Sequence, residues 1–179
     1  MGQKVLMLSI FILCIWKIAH SFTIKKLDLI DLGDGTYLVS ASFESFPTQD
    51  ILLALKRQRG EVVILYEFEL RSINPPEEKI IQKEIYFQKA SYNPETNVYY
   101  LEDNFGTIQF LRAEDIIPYL VFLNSYPLRI GKYSKQEMSE KILALKVTIS
   151  FYTHLDKNLR YSRVEKRRQY QTSREYVIH

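Results

Sequence analysis

The chain has 179 residues with 24 Lys and Arg, 21 Asp and Glu, three histidines and one cysteine. That length suits one domain with a core of its own. A net charge of +3 calls for no nucleic-acid partner, and a lone cysteine excludes a disulfide scaffold.

Residues 1–21 are set aside before any fold is argued. Lys4 precedes an apolar run over 5–16, Lys17 follows it, and Ala19 and Ser21 are small residues at the −3 and −1 positions. This is the pattern of an export signal cleaved before Phe22. The alternatives are an uncleaved N-terminal anchor or a core helix, although the run is shorter than the roughly 20 apolar residues a bilayer span needs. Cys14 sits mid-run between Leu13 and Ile15 and is a poor lipidation site. After cleavage about 158 residues would remain, near neutral and without cysteine, so neither a thiol nucleophile nor a cysteine-ligated metal is available.

Residues 22–32 read as a strand whose apolar parity slips between Ile24 and Leu27, which places a bulge near Lys25 and Lys26. Gly33-Asp34-Gly35 is hairpin chemistry, and 36–46 returns with Tyr37, Val39, Ala41 and Phe43 on one face. Thr48 is placed to cap a helix, Asp50 suits its first turn, and Ile51, Leu52, Ala54 and Leu55 form its apolar stripe. Lys56, Arg57 and Arg59 crowd the last turn, and Gly60 suits the residue after it.

The period then switches from 3.6 to 2. Val62, Ile64, Tyr66, Phe68 and Leu70 share one face, while Val63, Leu65, Glu67, Glu69 and Arg71 share the other. The second face begins apolar and ends charged, so the strand is expected to run from the interior toward a wetter edge. Asn74-Pro75-Pro76 stops it.

Residues 79–90 alternate around Ile81, Ile85 and Phe87, 92–97 are turn chemistry, 98–101 pair back, and 107–111 form a further short strand. A second helix is expected from Asp115, with Pro118 in its first turn, Ile116, Leu120 and Leu123 buried, and Tyr126-Pro127 at its end. Residues 126–133 suggest another extended piece. Leu143, Leu145, Val147, Ile149 and Phe151 make a half-buried strand. Beyond Asp156 the pattern thins, and 157–179 carry Arg160, Arg163, Lys166, Arg167, Arg168 and Arg174 against Glu165 and Glu175.

The expected fold is a mainly β, antiparallel β-sandwich of seven or eight strands with two short helices in connections. Three parts are expected: a signal peptide or anchor at 1–21, a β-sandwich domain at 22–156 and a basic C-terminal tail at 157–179.

Catalytic equipment is thin. His154 and His179 lie far apart, and His154 reads as a strand end with no oriented partner; a Ser-His-Asp site would have to be built on it. Neither a Gly-x-Ser-x-Gly elbow nor a His-Glu-x-x-His pair occurs. Asp31 and Asp34 beside glycines invite a cation-loop reading, but Leu32 and Gly33 occupy positions that such a loop fills with oxygen ligands. Gly33-x-Gly35 lacks the third glycine of a dinucleotide fingerprint. Glu67 and Glu69 share a strand face and are the one pair of carboxylates suited to glycoside chemistry, against the commoner reading of a solvated face paired with Lys or Arg. No catalytic, cofactor-binding or metal residue is assigned.

Tyr37, Tyr66, Tyr86, Tyr92, Tyr99, Tyr100, Tyr119, Tyr126, Tyr133 and Tyr152 are spread over nearly every element. They suit both half-buried packing and a recognition face, and no local cluster stands out. The basic tail, with Tyr161, Tyr170 and Tyr176 interleaved, reads as a solvated end, with docking to an anionic membrane surface or an acidic partner as the alternative.

The order of features, with ILLALKRQRGEVVILYEFEL, IYFQKASYNPETNVYYLED, IIPYLVFLNSYPL and LALKVTISF as its segments, resembles a family of uncharacterised exported bacterial proteins known only as a domain of unknown function. The likeness is one of element pattern and spans about 22–155. It implies a protein of the periplasm or cell envelope and carries over no catalytic residue. The first functional expectation is a non-enzymatic binding module for an envelope protein partner, through an open strand edge or an aromatic face. The second is a carrier of a small apolar ligand or lipid in a cleft lined by Phe43, Phe68, Phe87 and Phe151. The third is a hydrolase using Glu67 and Glu69. Oligomeric state is not legible.

Overall fold

The computed structural model describes residues 22–56, 60–72, 79–131, 141–154 and 164–178. The segment 1–21, on which export and cleavage rest, lies outside them, as do the helix end at 57–59, the diproline break, Tyr133, Tyr161 and His179.

The fold is mainly β, with two antiparallel sheets facing one another. Strand β1 (Thr23–Asp31) pairs with β2 (Thr36–Glu44), and the register shifts between Ile24 and Lys26 where the parity slip placed a bulge. The hairpin turn uses Gly33 and Gly35, both at φ 84°. Helix α1 (Thr48–Lys56) buries Ile51 and Leu55. Its first bond runs from the Ile51 amide to the Pro47 carbonyl, and the Thr48 hydroxyl turns back to the Phe46 carbonyl, so Thr48 is the first helical residue and not the expected cap.

Strand β3 (Gly60–Ser72) buries Val62, Ile64, Tyr66, Phe68 and Leu70 in the phase expected. It does not run out to an edge. It pairs along its length with β4 (Ile80–Asn93) on one side and β8 (Lys141–His154) on the other, so the charged second face is solvated from above and not from the side. Beyond β4 lie β5 (Val98–Asp103) and β6 (Gly106–Phe110).

Two short helices were expected, and two occur among the described residues, but the second is only a 3-10 turn (Ala113–Ile116) running into α2 (Ile117–Leu120) with Pro118 in its first turn. Leu123 and Tyr126 belong instead to strand β7 (Phe122–Arg129). The helical spacing was produced by a bulge. Val39 pairs with Tyr126 but Ala41 with Leu123, so Asn124 and Ser125 stand opposite the single Ser40, and the one extra residue turns a strand period of 2 into an apparent 3.

Two further expectations are corrected. In β4 the core face is Tyr86, Gln88 and Ala90, not Ile85 and Phe87; Ile85 is 49% exposed, while Ile81, next to a register shift, packs partly buried against the core. Polar side chains of β4 face inward because tyrosine hydroxyls of β3 and β7 need partners there, as described below. In β8 Leu143, Leu145, Val147, Ile149 and Phe151 are buried as expected, but Ala144, Thr148 and Ser150 are buried too. These small side chains sit between larger neighbours on β3 and on β9 (Val164–Val177), such as Leu65 beside Thr148.

Strand β9 is the largest departure. Its residues were assigned to a basic tail outside the domain, yet they pair with β8 over the whole strand and form one edge of the larger sheet. The orders are β1-β2-β7 and β6-β5-β4-β3-β8-β9, nine strands among the described residues. Tyr170 is buried against Phe22 and Phe151, and its hydroxyl donates to Asp50 of α1. The Arg174 guanidinium donates to the carbonyls of Ile24 and Lys25. Those carbonyls lie at the β1 bulge, where the ladder is interrupted, so β9 closes the sandwich along the β1 side. The basic residues hid a strand because only alternate positions, Tyr170 and Tyr176, carry its apolar contacts.

Candidate functional site

The opposite side of the sandwich, where β7 overlies β4 and β5, is not closed. An open cavity of about 710 Å³ lies there, within the usual size of a small-ligand site. It is bounded by β1 and β2 (Lys26, Asp28, Ser40 to Ser42), by β4 (Tyr86, Gln88), by the β5–β6 turn (Asp103, Phe105), by α2 and by the bulged part of β7.

Its wall is built from hydrogen bonds that run from the core to the surface. Tyr66, with no exposed surface, donates to Gln88 Oε1 at 3.0 Å, and Gln88 Nε2 donates to the Tyr119 carbonyl at 3.1 Å. Tyr86 donates to Asp103 Oδ2 at 2.9 Å, and Asp103 Oδ1 accepts the amides of Phe105 (2.8 Å) and Gly106 (3.0 Å). One carboxylate thus fixes both a wall tyrosine and the turn that presents Phe105. Tyr126 donates to Glu84 Oε1 at 2.5 Å. These bonds explain the inward polar face of β4.

Burial raises the pKa of Tyr66, and for Tyr86 and Tyr126 burial is joined by the carboxylates of Asp103 and Glu84. All three phenols therefore stay neutral donors at physiological pH and are not proton acceptors.

The ring surfaces are continuous. The Tyr86 and Tyr126 centroids are 4.6 Å apart, and Phe105 lies 6.0 Å from Tyr86 and 6.1 Å from Tyr126. Behind them Phe68 stacks on Tyr126 at 5.2 Å, and Tyr66 lies 5.5 Å from Tyr86. In front, Phe105, Phe122 and Tyr119 are 67%, 55% and 49% exposed. Large aromatic residues with half or more of their surface in water, next to a cavity, mark a contact surface more often than chance exposure does. At the rim, Ser125 takes a left-handed conformation (φ 52°) that lets its amide donate to Ser40 Oγ at 3.0 Å, and Lys26 pairs with Asp28 at 2.7 Å.

The residues singled out from the sequence fall elsewhere. Phe43, Phe68 and Phe151 belong to the packed core and Phe87 to the outer face of β4; none of the four lines the cavity. Glu67 and Glu69 are on the outer face of the larger sheet, each 19% exposed. Lys83 lies 3.0 Å from Glu67 and 3.4 Å from Glu69, Lys146 lies 3.0 Å from Glu67, and Arg71 bridges Glu69 (2.7 Å) and Glu175 (3.2 Å). This is the cross-strand pairing of a solvated face. Hydrogen bonds from Lys146 to Glu67 and from Arg71 to Glu69, each supported by Lys83, hold both carboxyls below the usual glutamate range. Both remain ionised at neutral pH, and neither can serve as the general acid that glycoside chemistry requires.

Asp31 Oδ1 accepts the Gly33 amide and Asp34 Oδ1 the Thr36 amide, so both carboxylates serve the hairpin. His154 ends β8 opposite Val164. Among the described residues no cluster of His, Cys, Asp and Glu is arranged to hold a metal ion. The groove was not legible because Tyr86, Phe105, Tyr119, Phe122 and Tyr126 come from four segments. Each looks like an ordinary β-sheet aromatic until β7 is laid across β4.

The chain matches no protein-family model, no curated protein and no solved structure.

Proposed function

We propose that the chain is a non-enzymatic binding module of the bacterial cell envelope whose aromatic groove receives an apolar segment of a protein partner. The observation that carries the reading is the run of ring surface from buried Tyr86 and Tyr126 out to exposed Phe105, in a cavity that exposed Tyr119 and Phe122 also line. Aromatic anchors over a partly desolvated pocket are the usual energetic centre of a protein interface. The wall is already ordered by its hydrogen bonds, so little conformational freedom is lost on binding. The export pattern of residues 1–21 and the resemblance to exported bacterial proteins of unknown function support an envelope location.

The test is a peptide-display selection against the protein, repeated with Phe105→Ser combined with Phe122→Ser. Both side chains are mostly in water, so the double variant is expected to keep its stability within about 0.5 kcal/mol per site. Peptides rich in apolar residues should be selected by the original chain and lose at least tenfold in affinity on the variant. Selection of nothing, or of peptides indifferent to both substitutions, would refute the reading.

A second reading is a carrier of a small apolar ligand or lipid, favoured by the cavity volume. Native mass spectrometry of protein from its own host separates the two. An added mass of a few hundred daltons that disappears in the Phe105→Ser, Phe122→Ser variant would replace the partner segment by a ligand.

A further inference from the structure

Among the described residues the two sheets leave four edge strands, β1, β7, β6 and β9. Exposed edges invite pairing with another chain, and proteins guard them with charges, prolines, bulges or short length. Strand β1 has a bulge, Lys25, Lys26, Asp28 and Asp31, and the Arg174 guanidinium on its free carbonyls. Strand β7 carries Pro127 and the Asn124-Ser125 bulge. Strand β9 carries Lys166, Arg167, Arg168, Arg174, Glu165 and Glu175. Strand β6 is Gly-Thr-Ile-Gln-Phe, without charge, proline or register shift, and its only safeguard is its five residues.

Ile108 adds a second, independent indication. It pairs with Leu101, which is buried on the core face, yet Ile108 is 49% exposed. The core face therefore continues onto the last strand, and among the described residues no strand pairs with its outer side. Phe105 and Leu111, which flank β6, are 67% and 80% exposed.

We propose that β6 pairs antiparallel with β6 of a second copy, joining two six-stranded sheets into one of twelve strands. The occupant is a second copy because the edge is self-complementary. A twofold contact sets each residue against its own symmetry partner, and like charges there are repulsive. A twofold axis at Ile108 sets Ile108 against Ile108, Thr107 against Gln109, and Gly106 against Phe110. Phe105 of one copy meets Leu111 of the other at each end. No charge meets its like anywhere along the strand. Every second residue of β6 turns its N–H and C=O away from β5, which supplies the donors and acceptors of the new ladder. This surface meets the aromatic groove at Phe105, which both use, so the test of dimer formation rests on Ile108, which does not line the groove.

Five residues a side make a small interface, below the roughly 1,200 Å² of stable complexes, so the dimer should dissociate in the micromolar range or weaker. Sedimentation velocity over a concentration series, on protein purified from the cells that make it, reads the equilibrium directly. Hydrogen exchange locates it: the outward amides of β6 should be protected at high concentration and exchange freely at low concentration. Ile108→Lys, which sets two ammonium groups face to face, should raise the dissociation constant about a hundredfold, and Ile108→Val should leave it within about threefold. A monomer at all concentrations overturns the proposal. So does a dimer that Ile108→Lys leaves intact, or one whose β6 amides show no concentration dependence.

Discussion

The hydrogen bond between Tyr66 and Gln88 is the sharpest test of how the groove wall is built. Gln88→Leu keeps the side-chain volume but removes the acceptor for a phenol with no exposed surface and the donor to the Tyr119 carbonyl. A buried polar group left without a partner costs about 1–3 kcal/mol, and the Tyr119 end faces the open cavity where water can replace the amide. A loss of about 2 kcal/mol follows, which for a domain of this size lowers the melting temperature by roughly 4–8 °C. Tyr66→Phe alone strands only Gln88 Oε1, which lies at the cavity wall, and should cost about 1 kcal/mol.

In the double variant neither polar group remains, so the loss should be near 1.5 kcal/mol and not the sum of 3, a coupling of about 1.5 kcal/mol. Urea unfolding of the four proteins at neutral pH measures each corner of the cycle. Additivity within about 0.5 kcal/mol would mean that the two groups do not satisfy one another in solution, and the polar inner face of β4 would lose its explanation.

Two further outcomes rest on different features. Ser125 holds φ 52° at the β7 bulge, so Ser125→Gly should be neutral within about 0.5 kcal/mol while Ser125→Val costs about 1–3 kcal/mol; equal stability of the two, read by thermal unfolding, would remove the bulge from β7. The carboxyls of Glu67 and Glu69 titrate below their unfolded value because Lys146, Arg71 and Lys83 bind the ionised forms. Their contribution is therefore complete above the unfolded value, about pH 4.3, and is lost as pH falls through the lowered folded values. Urea midpoints between about pH 6 and pH 3 should fall less steeply in Glu67→Gln than in the original chain, and parallel slopes would contradict the ion-pair network.

What was legible in the sequence is what local patterning determines. The alternation of Val62 to Leu70 and of Leu143 to Phe151 set two buried faces, because period-2 burial leaves its mark on every residue. The bulge near Lys25 and the turns at Gly33 to Gly35 and 92 to 97 were readable from parity and from residues that tolerate tight turns. An antiparallel sandwich followed from counting such pieces.

Tertiary structure decided the rest, because it turns on which strand lies beside or across which. Residues 164–177 became β9 through partners on β8 that no charge count reveals. The inward face of β4 was settled by hydroxyls arriving from β3 and β7, since a buried phenol must find an acceptor and Gln88 and Glu84 supply it. The aromatic groove exists only where β7 passes over β4 and β5, bringing together rings that local sequence keeps far apart. The exposure of β6 is likewise a property of its place at the end of a sheet, not of its five residues.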